Sequence, residues 1–134
     1  MKKLFIGFLI MLAGSAWAEW RLVSSTKGGE IYLHYETIRI DGDMRKSWLI
    51  QNLSLRDEGG ELSRRINIEH DCENERFHLI SISYHSEPMA KGDELFNEYL
   101  SNSEWHDISK DTSMATILEI VCSSNGNRPL EPKV

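Results

Sequence analysis

The chain has 134 residues, 27% of them charged, and a formal net charge of −6. That length suits one domain with a modest core. The acidic balance argues against a nucleic-acid binder or an anionic-lipid binder, because both partners recruit clustered Lys and Arg.

The N-terminus reads as a cleavable signal peptide over residues 1–18. Lys2 and Lys3 give a positive start, Leu4 to Ala13 is a short apolar run, and Ala16-Trp17-Ala18 offers small residues at the cleavage positions. The run is too short to span a bilayer, which takes roughly 20 residues. Cleavage between Ala18 and Glu19 removes two lysines and no acid. It leaves 116 residues and moves the formal charge from −6 to −8. A lipid-accepting cysteine is expected at the cleavage point of a lipoprotein, and Glu19 stands there instead. The mature chain is therefore expected to be exported to the periplasm or beyond without a lipid anchor. No later stretch is long and apolar enough to cross a membrane.

From Trp20 onward the pattern alternates at period 2, the signature of strands. Trp20 to Ser25 is a first strand, Lys27-Gly28-Gly29 a turn, and Glu30 to Tyr35 a second strand. Glu36 to Ile38 bends, and Asp41-Gly42 marks a hairpin. Met44 to Leu53 is a third strand, with Trp48 and Ile50 on one face. Arg56 to Gly60 is a loop, Leu62 to Cys72 a fourth strand, and Arg76 to His85 a fifth.

A three-residue loop, Glu73 to Glu75, would set Ile68 opposite Ile80, Ile66 opposite Ile82, and His70 opposite His78. Ser86 to Gly92 is a loop. Asp93 to Leu100 fits either a helical stripe or a short strand. Trp105 to Ile108 is read as a last short strand. Asp111-Thr112-Ser113 supplies N-cap residues. Met114, Ile117, Leu118, Val121 and Cys122 then form one apolar helical stripe. Residues 123–134 are polar, with Gly126, Pro129 and Pro132, and read as a flexible tail after a single domain over 19–122.

Two cysteines in an exported chain most simply form one disulfide, Cys72 to Cys122. A reactive thiol pair is the alternative. Cys122 sits on the helical stripe and Cys72 on the face carrying Ile66 and Ile68, so the bond would pin the helix across the sheet. The expected fold is α+β: a single antiparallel sheet with a C-terminal helix on one face.

The chemistry-bearing residues point away from catalysis. No G-x-S-x-G elbow, G-x-G-x-x-G turn or P-loop occurs. His70 and His78 are two candidate ligands, short of the three or four that zinc takes, so neither a metal nor a cofactor is expected. Glu69 and Asp71 alternate with the apolar face of their strand and are read as a solvated face. Trp20, Trp48 and Trp105 are read as core anchors. Arg56, Arg64, Arg65 and Lys91 are the candidate binding surface, carried by the loops near Arg56 to Arg65 and Ser86 to Gly92. Arg45-Lys46 is a further basic doublet. Neither doublet forms a patch alone, since successive strand residues face opposite sides.

Several short motifs recur in a fixed order: Glu19-Trp20 with Val23, Ile31-Tyr32, Thr37-Ile38-Arg39 with Asp41-Gly42, and Trp48 with Ile50. Asp71-Cys72, Tyr84, Pro88-Met89 with Gly92, Trp105 with Ile108, and Ile120-Val121-Cys122 follow. In these the chain resembles the bacterial surface-adhesin protein E family over Glu19 to Cys122. The resemblance implies about six antiparallel strands and a C-terminal helix tethered by the disulfide. It also implies a non-enzymatic role on the surface of Gram-negative bacteria, binding host proteins such as laminin, vitronectin and plasminogen. The expected function is an exported, non-catalytic binding domain of the adhesin type. The alternative is a soluble periplasmic accessory or inhibitor protein acting on an envelope partner. An exposed edge strand would also let two copies pair as a homodimer.

Overall fold

The computed structural model describes residues 19–123, so the leader and the tail from residue 124 on lie outside the described residues, while Ser123, read as the first residue of the tail, ends the C-terminal helix. Within them run eight strands and one α-helix: β1 (Trp20–Thr26), β2 (Gly29–His34), β3 (Arg39–Asp41), β4 (Met44–Leu53), β5 (Ser63–Asp71), β6 (Arg76–Glu87), β7 (Lys91–Tyr99), β8 (His106–Asp107) and α1 (Ser113–Ser123). All pair antiparallel in one sheet ordered β1-β2-β4-β5-β6-β7. Short β3 pairs with β4, and β8 with β6. These two short strands account for the excess over the expected six.

Helix α1 lies on one face and makes the core with it. Ile117, Ile120 and Val121 pack on Leu33, Tyr35, Leu49 and Ile68, and partly buried Val23, Ile31, Ile66, Phe77 and Leu79 surround them. Four devices fix the helix. Thr112 caps its start, its Oγ1 accepting from the Ala115 N–H at 3.2 Å. Ser113 Oγ meets Ser24 Oγ of β1 at 2.6 Å. At the other end Arg45 Nε donates to the Val121 carbonyl at 3.2 Å, placing a cation where the helix dipole is negative. The Cys72–Cys122 disulfide, with Cα atoms 5.7 Å apart, ties the last turn to the sheet.

The β5–β6 register differs from the expected one. Asp71 accepts the N–H groups of Glu73 and Asn74, each at 3.2 Å, and the Asn74 amide at 2.8 Å. That local turn lengthens the connection to four residues, so Asp71 pairs with Arg76, His70 with Phe77, and Ile68 with Leu79. Unrelieved, this would face serines to the core. A bulge at Ile80 shifts the register back, and Ile66 meets Ile82 as expected. His70 and His78 therefore do not face each other. His70 is buried on the helix side, and His78 pairs with Glu69 on the other face.

Two further expectations are corrected or settled. Residues 93–99 belong to strand β7 rather than to a helix, Leu100 lies just beyond its end, and Leu95 is accommodated as a bulge between Glu94 and Phe96. The three tryptophans are not core anchors. The core is mainly aliphatic, with Tyr35 as its one buried aromatic, and Trp20, Trp48 and Trp105 are half-buried and outside it.

Candidate protein-binding face

The sheet face away from α1 is lined by the opposite set of each alternation. Trp48 and Ile50 of β4 turn there because Ser47 and Leu49 turn to the helix. Arg65 turns there because Arg64 and Ile66 turn the other way. Cross-strand pairing sets Ile50 against Arg65 and Trp48 against Asn67. The Arg65 guanidinium lies over the Trp48 ring, 4.5 Å from its centroid, a cation–π stack that holds both side chains upright.

Two hollows flank this stack. One, of about 330 Å³, is bounded by Trp20, His34, Ile50 and Met89. The other, of about 320 Å³, is bounded by Ser81, Ser83, Asn97 and Tyr99. Trp20 stands edge-on to the His34 ring at 5.0 Å. Further along the same face Trp105 covers His78 at 4.3 Å and lies beneath Arg76 at 4.5 Å. His78 is held between Glu69, at 2.8 Å, and Ser103, at 2.9 Å. Glu69 is thus a bonded group on this face. Asp71, also turned this way, is nearly buried, and the Asn74 amide and then Arg76 hold its carboxyl below the usual carboxylate range.

A strained turn crosses one end of the face. Pro88–Ala90 forms a single 3₁₀ turn in which Met89 and Ala90 both have left-handed backbones, at φ 59° and 56°. Side chains from the sheet hold it in place. Asn52 Oδ1 accepts from the Met89 N–H at 2.8 Å. Ser63 Oγ accepts from the Ala90 N–H at 2.9 Å and donates to the Glu87 carbonyl at 2.6 Å. Ser63 is fully buried, so Ser63→Ala leaves a donor and an acceptor unmet. Urea unfolding should show a loss of about 2 kcal/mol. An unchanged midpoint would mean that the turn is not held from the sheet.

The four candidate cations occupy separate places. Arg65 alone joins the aromatic face. Arg64 lies on the opposite face over the Tyr84 ring, paired with Asp57 and Glu61. Arg56 donates to the carbonyls of Gly60 and Ser86, at 2.7 and 2.9 Å, and braces two loops. Lys91 is exposed at the start of β7. Of the further doublet, Arg45 serves the helix end and Lys46 is exposed on the other side. The residues the sequence reading missed are Tyr99 and Trp48 as surface aromatics. For Trp48 the alternation of β4 sets it on the face opposite Leu49, but does not say which of the two faces meets the helix.

A one-sided antiparallel sheet, closed on one face by a disulfide-fastened helix and open on the other across Trp, Tyr and Arg side chains, defines a two-layer α+β domain with an exposed aromatic–cationic face. The chain belongs to the surface-adhesin protein E family, whose model matches residues 20–123. Solved structures of Haemophilus influenzae protein E share the fold. One, a second crystal form, aligns with a TM-score of 0.57 at 17% identity, covering 79% of this chain and 88% of that one. A selenomethionine form aligns with a TM-score of 0.57 at 16% identity, over 82% and 90%. Protein E from a non-typeable strain aligns with a TM-score of 0.52 at 15% identity, over 76% and 75%. No curated protein matches the chain. Among the described residues no helix is long and apolar enough to cross a membrane.

Proposed function

We propose that this protein works outside the cytoplasm as a non-catalytic adhesin-like module that binds host extracellular-matrix or serum proteins through its open sheet face. The observation that carries the reading is the Trp48–Arg65 stack with Trp20 and Tyr99 around it. Trp, Tyr and Arg dominate the energetics of protein interfaces, because they bury large rigid areas and still offer directed polar contacts. On this face they stand on strands rather than loops, so little ordering entropy opposes binding. Membership of a surface-adhesin family supports the same reading. The expected partners are laminin, vitronectin or plasminogen. Immobilised mature protein with its disulfide intact should retain at least one of the three at low salt. Surface labelling of whole cells should reach it. Retention of none, together with a chain confined to the periplasm, would contradict the proposal and favour an envelope accessory role.

A further inference from the structure

Strand β7 is an open edge of an unusual kind. All nine of its residues are exposed, including Leu95, Phe96 and Tyr99 at 44%, 60% and 75%. Its inner side pairs with β6, and among the described residues no strand pairs with its outer side. The Leu100 N–H donates to the Ile80 carbonyl at 2.8 Å, and Tyr99 stands opposite Ser81. Antiparallel alternation then turns the N–H and C=O groups of Asn97 and Tyr99 outward, away from β6. The strand is regular from Phe96 to Tyr99, since its bulge lies before Phe96.

The side chains say what such an edge would accept. Asp93, Glu94 and Glu98 are acidic, and Lys91, at the far end, is the strand's one basic residue. Two copies of β7 laid edge to edge would oppose three carboxylates with three, which guards the edge against self-pairing. The same charges attract a cationic strand. Each side of β7 also borders a hollow for alternate side chains. On the helix side Tyr84 and Phe96, 5.9 Å apart, face Asp57, Glu58 and Glu61 across about 490 Å³. Arg64 already pairs with Asp57 and Glu61 there, and Glu58 adds a further negative charge. On the open face lie Asn97, Tyr99 and Glu94.

We infer that the outer edge of β7 is a strand-addition site for an extended, cationic segment of a partner protein, bound through the outward backbone groups of Asn97 and Tyr99. Main-chain hydrogen bonds supply affinity in such pairing, and side-chain pockets supply selection. The inference rests on the reading that this protein binds another protein, and adds a second contact site beside the open face.

The test titrates the isotope-labelled mature chain with two synthetic octapeptides, one alternating Lys and Thr and one alternating Glu and Thr. The Lys peptide should shift amide signals of residues 93–99 and slow exchange at Asn97 and Tyr99. The Glu peptide should leave them unmoved. Asn97→Pro removes an outward donor and keeps the β6 ladder, because proline is tolerated where an edge N–H faces solvent. It should weaken the Lys peptide ~10-fold while the melting curve holds. Glu94→Gln with Glu98→Gln should flatten the salt dependence of binding. Equal response to both peptides, shifts centred on Trp48 and Arg65, or self-association by light scattering that Asn97→Pro abolishes would each overturn the inference. Cationic-peptide binding with no retention of host proteins would sink the adhesin reading alone. Host-protein binding indifferent to Asn97→Pro would sink this one alone.

Discussion

Replacing Cys72 and Cys122 with alanine should lower stability by about 4 kcal/mol, the chain-entropy value for a loop of 50 residues. A domain of this size has roughly 5–15 kcal/mol in total, so the loss is a large part of it. The effect should concentrate on α1. Its contacts with the sheet are the Ile117, Ile120 and Val121 packing, the Ser24–Ser113 bond and the Arg45 tie to Val121. An 11-residue helix does not hold its shape alone in water. Freed at its C-terminus, it should fray and expose Leu33, Leu49 and Ile68. Urea unfolding with and without reductant reads the effect, and limited proteolysis should cut first within 113–123. Coincident unfolding curves would show that packing alone secures the helix.

Acidification should cost a further large part of the stability through His70. Its ring is fully buried on the helix side beside Phe77, at 6.3 Å, and opposite Arg45. Neither ring nitrogen has a hydrogen-bond partner. Burial therefore lowers its pKa from 6.5 to about 4. The unfolded chain takes up the proton near 6.5 and the folded chain only near 4. Between these values the unfolded state binds more protons, so stability is full above pH 6.5 and falls as the pH drops toward 4. The gap corresponds to about 3 kcal/mol. His85, depressed first by burial and then by Arg65 against the opposing pull of Glu94, adds to the loss with the same sign. His70→Leu, close in volume, should keep stability at pH 7 within about 1 kcal/mol and remove most of the slope. A slope unchanged in that variant would assign the acid sensitivity elsewhere.

The elements of the fold were legible because their signals were local. Period-2 alternation located β1, β2, β4, β5 and β6 to within a residue or two, and β4 without error. The apolar stripe from Met114 to Cys122 and the Thr112 cap located α1. Export and cysteine count together named the disulfide. What escaped was set by interactions that a pattern does not carry. The Asp71 carboxylate lengthened the β5–β6 turn, and the Ile80 bulge repaired the register, so two errors of opposite sense hid each other at Ile66–Ile82. Strand β7 stayed ambiguous because the bulge at Leu95 places neighbouring apolar residues on one side and imitates a helical stripe. The tryptophans were misplaced because Leu49 and Ile50 are both buried, on opposite faces. Hydrophobicity alone does not tell which face of such a strand meets the helix and which meets the Pro88–Ala90 turn.

The candidate site followed the same rule. That Arg64 and Arg65 would part to opposite faces was readable from strand geometry. That Arg65 would stack on Trp48, while Arg64 paired with Asp57 and Glu61, required the cross-strand register and the fold of the loop before β5.

The measurement that bears most directly on the open face as the binding surface is the dissociation constant of the mature protein for whichever host protein it retains, compared across three variants. Trp48→Ala and Arg65→Ala remove half-exposed groups whose packing contributes little to the core, so both should fold with near-native unfolding curves. Each should weaken binding ~10-fold or more, as loss of an interface anchor does. Arg64→Ala, one residue away and on the opposite face, should leave the constant unchanged. Equal affinity for the parent protein and for both open-face variants, with Arg64→Ala defective, would contradict the account and move the binding surface to the helix side of the sheet.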